Sequence, residues 1–222
     1  MSIKLVISYD GTENDDDALT LGRMLGAAGA SLSLAYVRHA REHDPHREQL
    51  DVDDAARRLQ QGAHWLGNGT IARHIVVDPS TSAGLAALAS SMHAAAVIFG
   101  SDYRTAPGRV QPGASAQGLL DGGSVAVGVA AAGLHARSDR ALRTISFSGD
   151  GAAGTAADTA AALAVASGAE LVPGARDADL IVVDSRESAP DGMVGLDGVT
   201  RGWLDGARGS VLVLPRGGAL AF

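Results

Sequence analysis

The stretch AVIFGSDYRTAPGRV, residues 96–110, decides the fold, because LIVVDSRESAPDGMV, residues 180–194, repeats it 84 residues later. Each copy is an apolar run that passes into a polar loop containing glycine. Identical residues stand at matching positions of the two copies: Ser101 and Ser185, Gly108 and Gly192, Val110 and Val194. Similar segments also follow the copies (QGLLDG at 117–122, RGWLDG at 201–206) and open the two halves (VISYDG at 6–11, TISFSG at 144–149). This internal similarity predicts a tandem of two related units.

Composition and charge describe a globular chain without a face for nucleic acid. Of the 222 residues, 46% are hydrophobic, which is enough for a packed core. The 18 basic residues are outnumbered by 25 acidic ones, so we expect neither nucleic acid nor an anionic membrane as a partner. The absence of cysteine excludes disulfides, thiol catalysis and thiolate metal sites. The opening MSIKLVISYD meets charge after a short apolar run, and we expect a soluble, cytoplasmic protein.

The first unit, residues 1–133, alternates short apolar runs with helical patterns, which predicts an open α/β sheet of parallel strands. Five strands are expected, at Lys4–Tyr9, Ser31–Val37, Ile71–Val77, Ala95–Phe99 and Val125–Val129. Four helices are expected between them: from Asn14 to Gly29, from Val52 to Leu66, over Leu85–Met92 and over Ser115–Leu120.

The second unit, residues 140–222, is shorter. Strands are expected at Leu142–Phe147, Glu170–Val172, Asp179–Val183 and Ser210–Leu214, and a helix at Thr155–Ala166. Only seven residues separate Val172 from Leu180, where the first unit has a helix, a strand and another helix. The fold class predicted is therefore α/β, with two open, mainly parallel sheets, flanking helices and a truncated second unit.

The two apolar edge strands, Val125–Val129 and Val211–Leu214, would expose unpaired backbone if they stood alone. We expect them to pair with each other across a pseudo-twofold axis, as an intrachain pseudo-dimer. The shortened second unit buries little surface, so we expect it to be unstable alone and to leave room for a further homodimer.

Two segments carry a family resemblance. VISYDGTENDDDALTLGRMLGAAGASLSLAYV, residues 6–37, is a strand ending in Asp-Gly, then a helix, then Gly-Ala before the second strand. The loop FGSDYRTAPGRVQPGAS, residues 99–115, follows strand four. In both the chain resembles the universal stress protein family in its tandem form, whose nucleotide loop reads Gly-2x-Gly-9x-Gly-(Ser/Thr). Gly100 and Gly113 fit that pattern, whereas Tyr103 replaces a Gly and Ala114 replaces the Ser or Thr, with Ser115 one place later.

The resemblance implies that ATP or another adenine nucleotide binds to the first unit, with or without Mg²⁺. It implies that Asp10 lies near the ribose or a bridging metal ion, and that the main chain of Val37 reads adenine. Independently, ligands of open α/β sheets bind beyond the carboxyl ends of the strands, where the strand order reverses. The candidate site residues are Asp10, Val37, Gly100, Tyr103, Arg104, Arg109, Gly113, Ala114 and Ser115.

Physical chemistry gives several of these residues a role. Gly113 precedes a helix whose first amide groups attract phosphate oxygens. Arg104 and Arg109 can pair with phosphates. The bulky Tyr103 either blocks the loop or stacks on a base. In the second unit Asp184 replaces Gly100, which puts a negative charge at a phosphate position, and we expect one functional site per chain.

No catalytic constellation is found: the chain has no Walker loop with Lys, no Gly-x-Ser-x-Gly turn and no catalytic dyad. We therefore expect a nucleotide-responsive regulatory protein with at most weak ATP hydrolysis. The alternative is a structural or protein-interaction module whose nucleotide site has decayed.

Two metal hypotheses remain. The segment DGTENDDDAL, residues 10–19, is similar to the calcium motif of nucleoside hydrolases through Asp10, Asp16 and Asp17, although Thr12 replaces an Asp. An acidic first turn favoured by the helix dipole explains it better. A second cluster is formed by His39, His43 and His46, where a solvated loop is favoured over a metal site. No metal ligands are predicted.

Overall fold

The computed structural model describes residues 2–137, 141–148 and 154–222. Its described strands are β1 (Lys4–Ser8), β2 (Ser31–Arg38), β3 (Ala72–Val77), β4 (Ala96–Phe99), β5 (Ala126–Val129), β6 (Thr144–Phe147), β7 (Glu170–Leu171), β8 (Leu180–Asp184) and β9 (Ser210–Leu214). The α-helices are α1 (Glu13–Ala27), α2 (Pro45–Trp65), α3 (Thr81–Met92), α4 (Ala114–Leu120), α5 (Thr155–Ser167) and α6 (Gly198–Gly206). In these described ranges no helix is both long enough and apolar enough to cross a membrane.

The nine strands form one sheet in the order β3-β2-β1-β4-β5-β9-β8-β6-β7. Neighbouring strands are parallel except at the junction of β5 with β9, which is antiparallel. At this junction Val127 faces Val213, and Val129 faces Val211. The expected pairing of the two edge strands is thereby confirmed, and it joins the two predicted sheets into one.

Helices cover both faces of this sheet because successive strand residues point to opposite sides. The apolar layer on one face contains Ile7 of β1 together with Leu19 of α1, Leu59 of α2 and Leu163 of α5. The layer on the other face contains Val97 of β4 together with buried leucines of α3, α4 and α6: Leu85, Leu119 and Leu204. Each apolar layer contains residues from before and after the junction, so the two halves share their hydrophobic cores.

The loops after β4 and β8 repeat the same hydrogen bonds 84 residues apart. Ser101 Oγ donates to the Ala130 carbonyl at 2.6 Å and accepts from the Gln111 amide at 3.3 Å. Ser185 Oγ donates to the Leu214 carbonyl at 2.6 Å and accepts from the Gly195 amide at 3.1 Å. Gly108 and Gly192 both have positive φ, 77° and 76°. The residues repeated in the sequence therefore hold two loops with the same backbone path.

Three helices differ from the sequence-based expectation. Helix α2 begins at Pro45 rather than near Val52, because Asp44 caps it by accepting a hydrogen bond from the His46 amide at 2.8 Å. Helix α3 begins at Thr81 rather than Leu85, behind a Ser80 cap. Helix α6 was not predicted, because it is short and contains three glycines. Between Leu171 and Leu180 the chain forms neither helix nor strand, as expected of the shortened half.

Candidate functional site

A cleft of about 540 Å³ opens at the carboxyl ends of β1, β2 and β4. Its position follows from the strand order, since β1 has β2 on one side and β4 on the other. This is the place where connections leave the sheet in opposite directions, and where open α/β sheets bind ligands. Residues from the first turn of α1, one side of α2 and the start of α4 complete the walls.

Six of the nine candidate residues line this cleft: Asp10, Val37, Gly100, Gly113, Ala114 and Ser115. They come from four separate stretches of the chain. The folded sheet brings these stretches together because parallel strands end at the same edge.

The other three candidates, Tyr103, Arg104 and Arg109, do not line the cleft. The Tyr103 side chain is 69% exposed, and the Arg104 guanidinium lies 4.9 Å from the centre of its ring. Arg109 Nη2 donates to the Asp205 carbonyl at 3.0 Å, across the junction of the two halves. Tyr103 therefore does not obstruct the cleft, and the two arginines are directed elsewhere.

Gly100 and Gly113 differ in whether packing requires a glycine. A Cβ atom at Gly100 would lie 2.1 Å from the Asn14 carbonyl oxygen, so glycine is required for the start of α1 to pack against β4. A Cβ atom at Gly113 would meet no atom within 4 Å. Gly113 is the N-cap of α4, and no side chain caps that helix.

Polar groups at the start of α1 form hydrogen bonds to a carboxylate of the same helix. Asp15 Oδ2 accepts hydrogen bonds from the Asp10 amide at 2.9 Å, the Thr12 amide at 3.1 Å and Thr12 Oγ1 at 3.0 Å. Burial, and after it the neighbouring Asp10 carboxyl, together raise the pKa of Asp15 to about 7. The amino end of α1 is thus already occupied by an internal acid.

Two arginines of the cleft wall, Arg38 and Arg58, were missed by the sequence reasoning. Arg38 forms a bidentate pair with Glu48, with Nη1–Oε1 and Nη2–Oε2 distances of 2.9 and 2.7 Å. Hydrogen bonds from Arg38 and, after them, from the Glu42 amide lower the pKa of Glu48 to about 2. The position of Arg38, one residue after Val37 at the end of a strand, was the signal that could have identified it.

Arg58 is engaged in a similar way. Its Nε donates to Asp54 Oδ2 at 2.7 Å, and its Nη1 donates to the Asp10 carbonyl at 2.7 Å. The hydrogen bond from Arg58 lowers the pKa of Asp54. Both arginines of the cleft therefore already have anionic partners.

The calcium motif does not assemble as a metal site. Asp17 is buried and accepts hydrogen bonds from the Gly133 amide at 2.8 Å and from the His135 amide and Nδ1 at 2.7 Å each. Its carboxylate thus fastens α1 to the segment after β5 and is absent from the cleft lining. Over the described ranges no group of three or more His, Asp or Glu side chains is placed to hold a metal ion; His39, His43 and His46 form no such group.

In the second half, Asp184 stands at the position that matches Gly100, and its carboxylate lies at the start of α5. Asp184 accepts a hydrogen bond from the Ala156 amide in the first turn of α5, and burial raises its pKa. The backbone amide of Asp184 donates a hydrogen bond to Ser148 Oγ at 3.1 Å. An internal carboxylate therefore lies at the amino end of α5.

Comparisons with known proteins identify the fold. No protein-family model matches the sequence, and no curated protein is significantly similar to it. A universal stress protein structure from Archaeoglobus fulgidus superposes with a TM-score of 0.68 at 14% identity, covering 96% of this chain and 98% of that chain. A functionally unknown protein from Pseudomonas aeruginosa PAO1 gives a TM-score of 0.59 at 12% identity, covering 96% and 92%.

A universal stress protein in complex with cAMP is similar over a shorter stretch, 44% of this chain and 70% of that chain, at 19% identity. Its TM-score of 0.30 is too low for a comparison of sites. The two superpositions over nearly the whole chain have the same mainly parallel sheet with flanking helices. The chain therefore has the universal stress protein fold along almost its entire length.

Proposed function

We propose that the protein is a nucleotide-responsive regulatory protein of the universal stress protein type, with one adenine-nucleotide site in the cleft of its first half. The observation that carries the proposal is the convergence of Asp10, Val37, Gly113 and Ser115 on one cleft at the strand-order reversal. The volume of about 540 Å³ lies within the range of small-molecule sites.

In this proposal the base lies against the main chain of Val37 at the end of β2, and the ribose lies near Asp10. The phosphate lies near Gly113–Ser115, where α4 begins at the cleft wall and no side chain caps its first amides. If Mg²⁺ accompanies the nucleotide, Asp10 can supply one carboxylate ligand, and phosphate oxygens and water complete the shell.

The second half shows what an aspartate does at the position that matches Gly113. Asp197 stands 84 residues after Gly113, and its carboxylate caps α6 by accepting from the Val199 and Thr200 amides at 2.9 Å each. Gly113→Asp should therefore fold and cap α4 in the same way. The new carboxylate would occupy the amides that the proposal assigns to phosphate.

Isothermal titration calorimetry of the full chain with AMP, ADP and ATP, each with and without Mg²⁺, tests the proposal. We expect binding to the unmutated protein and a loss of at least tenfold in affinity for Gly113→Asp. Gly69→Asp, in an open loop away from the cleft, is the matched control and should bind like the unmutated protein. Absence of binding heat for all the nucleotides would remove the proposal.

The alternative is a structural or interaction module with a decayed site. The engagement of Arg38 and Arg58 by acidic side chains favours it, because the charge of each guanidinium is already paired within the protein. The same calorimetry separates the two functions, since the module binds no nucleotide.

A further inference from the structure

The charge of the cleft wall is predominantly negative. Five carboxyl side chains line it: Asp10, Asp15, Glu42, Asp51 and Asp54. Against them stand two arginines and His39. A ligand that brings several negative charges would add them to a wall that already carries an excess.

The two arginines offset only part of this excess, because each is already paired with an acidic side chain. Arg38 is 6% exposed at its side chain, is held by Glu48, and lies 3.6 Å from Asp51. Arg58 is held by Asp54 and by the carbonyl of Asp10. A phosphate that recruits either guanidinium therefore competes with a carboxylate that already neutralises its charge.

The carboxylates of the wall also favour ligand atoms that donate hydrogen bonds. Ionised carboxylates only accept hydrogen bonds. The hydroxyl groups of a ribose and the amino group of adenine are donors, whereas phosphate oxygens are acceptors.

We infer that the cleft takes a nucleoside or nucleoside monophosphate in preference to nucleoside di- and triphosphates. This inference rests on the proposed function, because it assumes that the cleft is the adenine site. It adds the charge class of the ligand: affinity falls as phosphates are added.

The test is calorimetry of the full chain with adenosine, AMP, ADP and ATP, with EDTA or with Mg²⁺, at low and at moderate salt. We expect ATP in EDTA to bind at least tenfold more weakly than AMP at low salt. We expect the difference between the AMP and ATP affinities to become smaller at higher salt, because mobile ions screen the repulsion between the phosphates and the acidic wall. ATP binding as tightly as AMP, with or without Mg²⁺, would overturn the inference but keep the proposed function. Failure of all four ligands would instead remove the proposed function.

A charge-neutralising variant gives an independent measurement. Asp51→Asn removes one negative charge from the wall and leaves Arg38 with Glu48 alone. We expect the ratio of the ATP to the adenosine dissociation constant to drop at least threefold. Asp53→Asn is the matched control on the same helix, since Asp53 is exposed, bonds to Gln49 and does not line the cleft. An equal drop in both variants would show that overall charge, and not the cleft, sets the preference.

Discussion

Gly100 and Gly113 show how two glycines of one motif can serve different purposes. Gly100 lets the Asn14 carbonyl approach β4, which is a packing requirement that exists without any ligand. Gly113 has open space around it, so its small size is not needed for packing. The spacing of a glycine motif alone therefore does not separate residues that bind from residues that support the fold.

Gly100→Ala should lower the free energy of unfolding by about 1–3 kcal/mol, because the added methyl group collides with backbone that must shift. Gly113→Ala is the control and should change stability by less than about 1 kcal/mol. Urea unfolding followed by circular dichroism measures both. Equal stabilities for the two variants would contradict the packing role of Gly100.

Asp15 should give the protein a characteristic pH dependence. Its pKa rises from an ordinary 3.8 to about 7 in the folded chain, through burial and the proximity of Asp10. Between these values the folded chain binds more protons than the unfolded chain, so the contribution of Asp15 to stability falls as pH rises from about 4 to about 7. Asp15→Asn should reduce this fall, as measured by urea unfolding at several pH values.

Glu13→Gln is the matched control for Asp15→Asn, because Glu13 is an exposed acid in the same turn of α1. We expect it to keep the pH profile of the unmutated protein. A profile for Asp15→Asn that is as steep as that of the unmutated protein would show that Asp15 does not carry the effect.

At the scale of elements, Asp17 connects α1 to the segment that follows β5. It accepts hydrogen bonds from two backbone amides and one imidazole, and it is almost fully buried. Asp17→Ala should cost about 2–3 kcal/mol of stability, because two amide donors lose their partner inside the protein. His135→Ala leaves the two backbone amide hydrogen bonds to Asp17 in place and should cost less. Thermal unfolding that ranks the two variants in the reverse order would contradict this assignment.

The strands and the junction were predictable because they depend on local patterns. Short apolar runs marked the strands, and two such runs at the ends of their sheets indicated an edge pair. The start of α2 was placed too late, although Asp44 and Pro45 together form a helix-start signal. The directions of Tyr103 and Arg109 and the ion pairs of Arg38 and Arg58 could not be predicted. They depend on which side chains of distant elements meet after folding.

At the scale of the whole molecule, we expect the second half to depend on the first for its stability. Its strand β9 pairs with β5, and both of its apolar layers continue into the first half. A fragment from residue 140 to 222 should therefore remain unfolded by circular dichroism and amide NMR. Adding a separately prepared fragment of residues 1–137 should restore strand signal. Cooperative unfolding of 140–222 alone would contradict the dependence.

The antiparallel junction inside one chain also has a genetic consequence. In a symmetric dimer of identical subunits, one codon change alters both copies of a site at once. Here the two halves are encoded separately, so a change such as glycine to aspartate at one position affects one half alone. The second half can therefore carry Asp184 at the position where the first half keeps Gly100. A single gene can thus give the two halves different residues at matching positions in every molecule that it encodes.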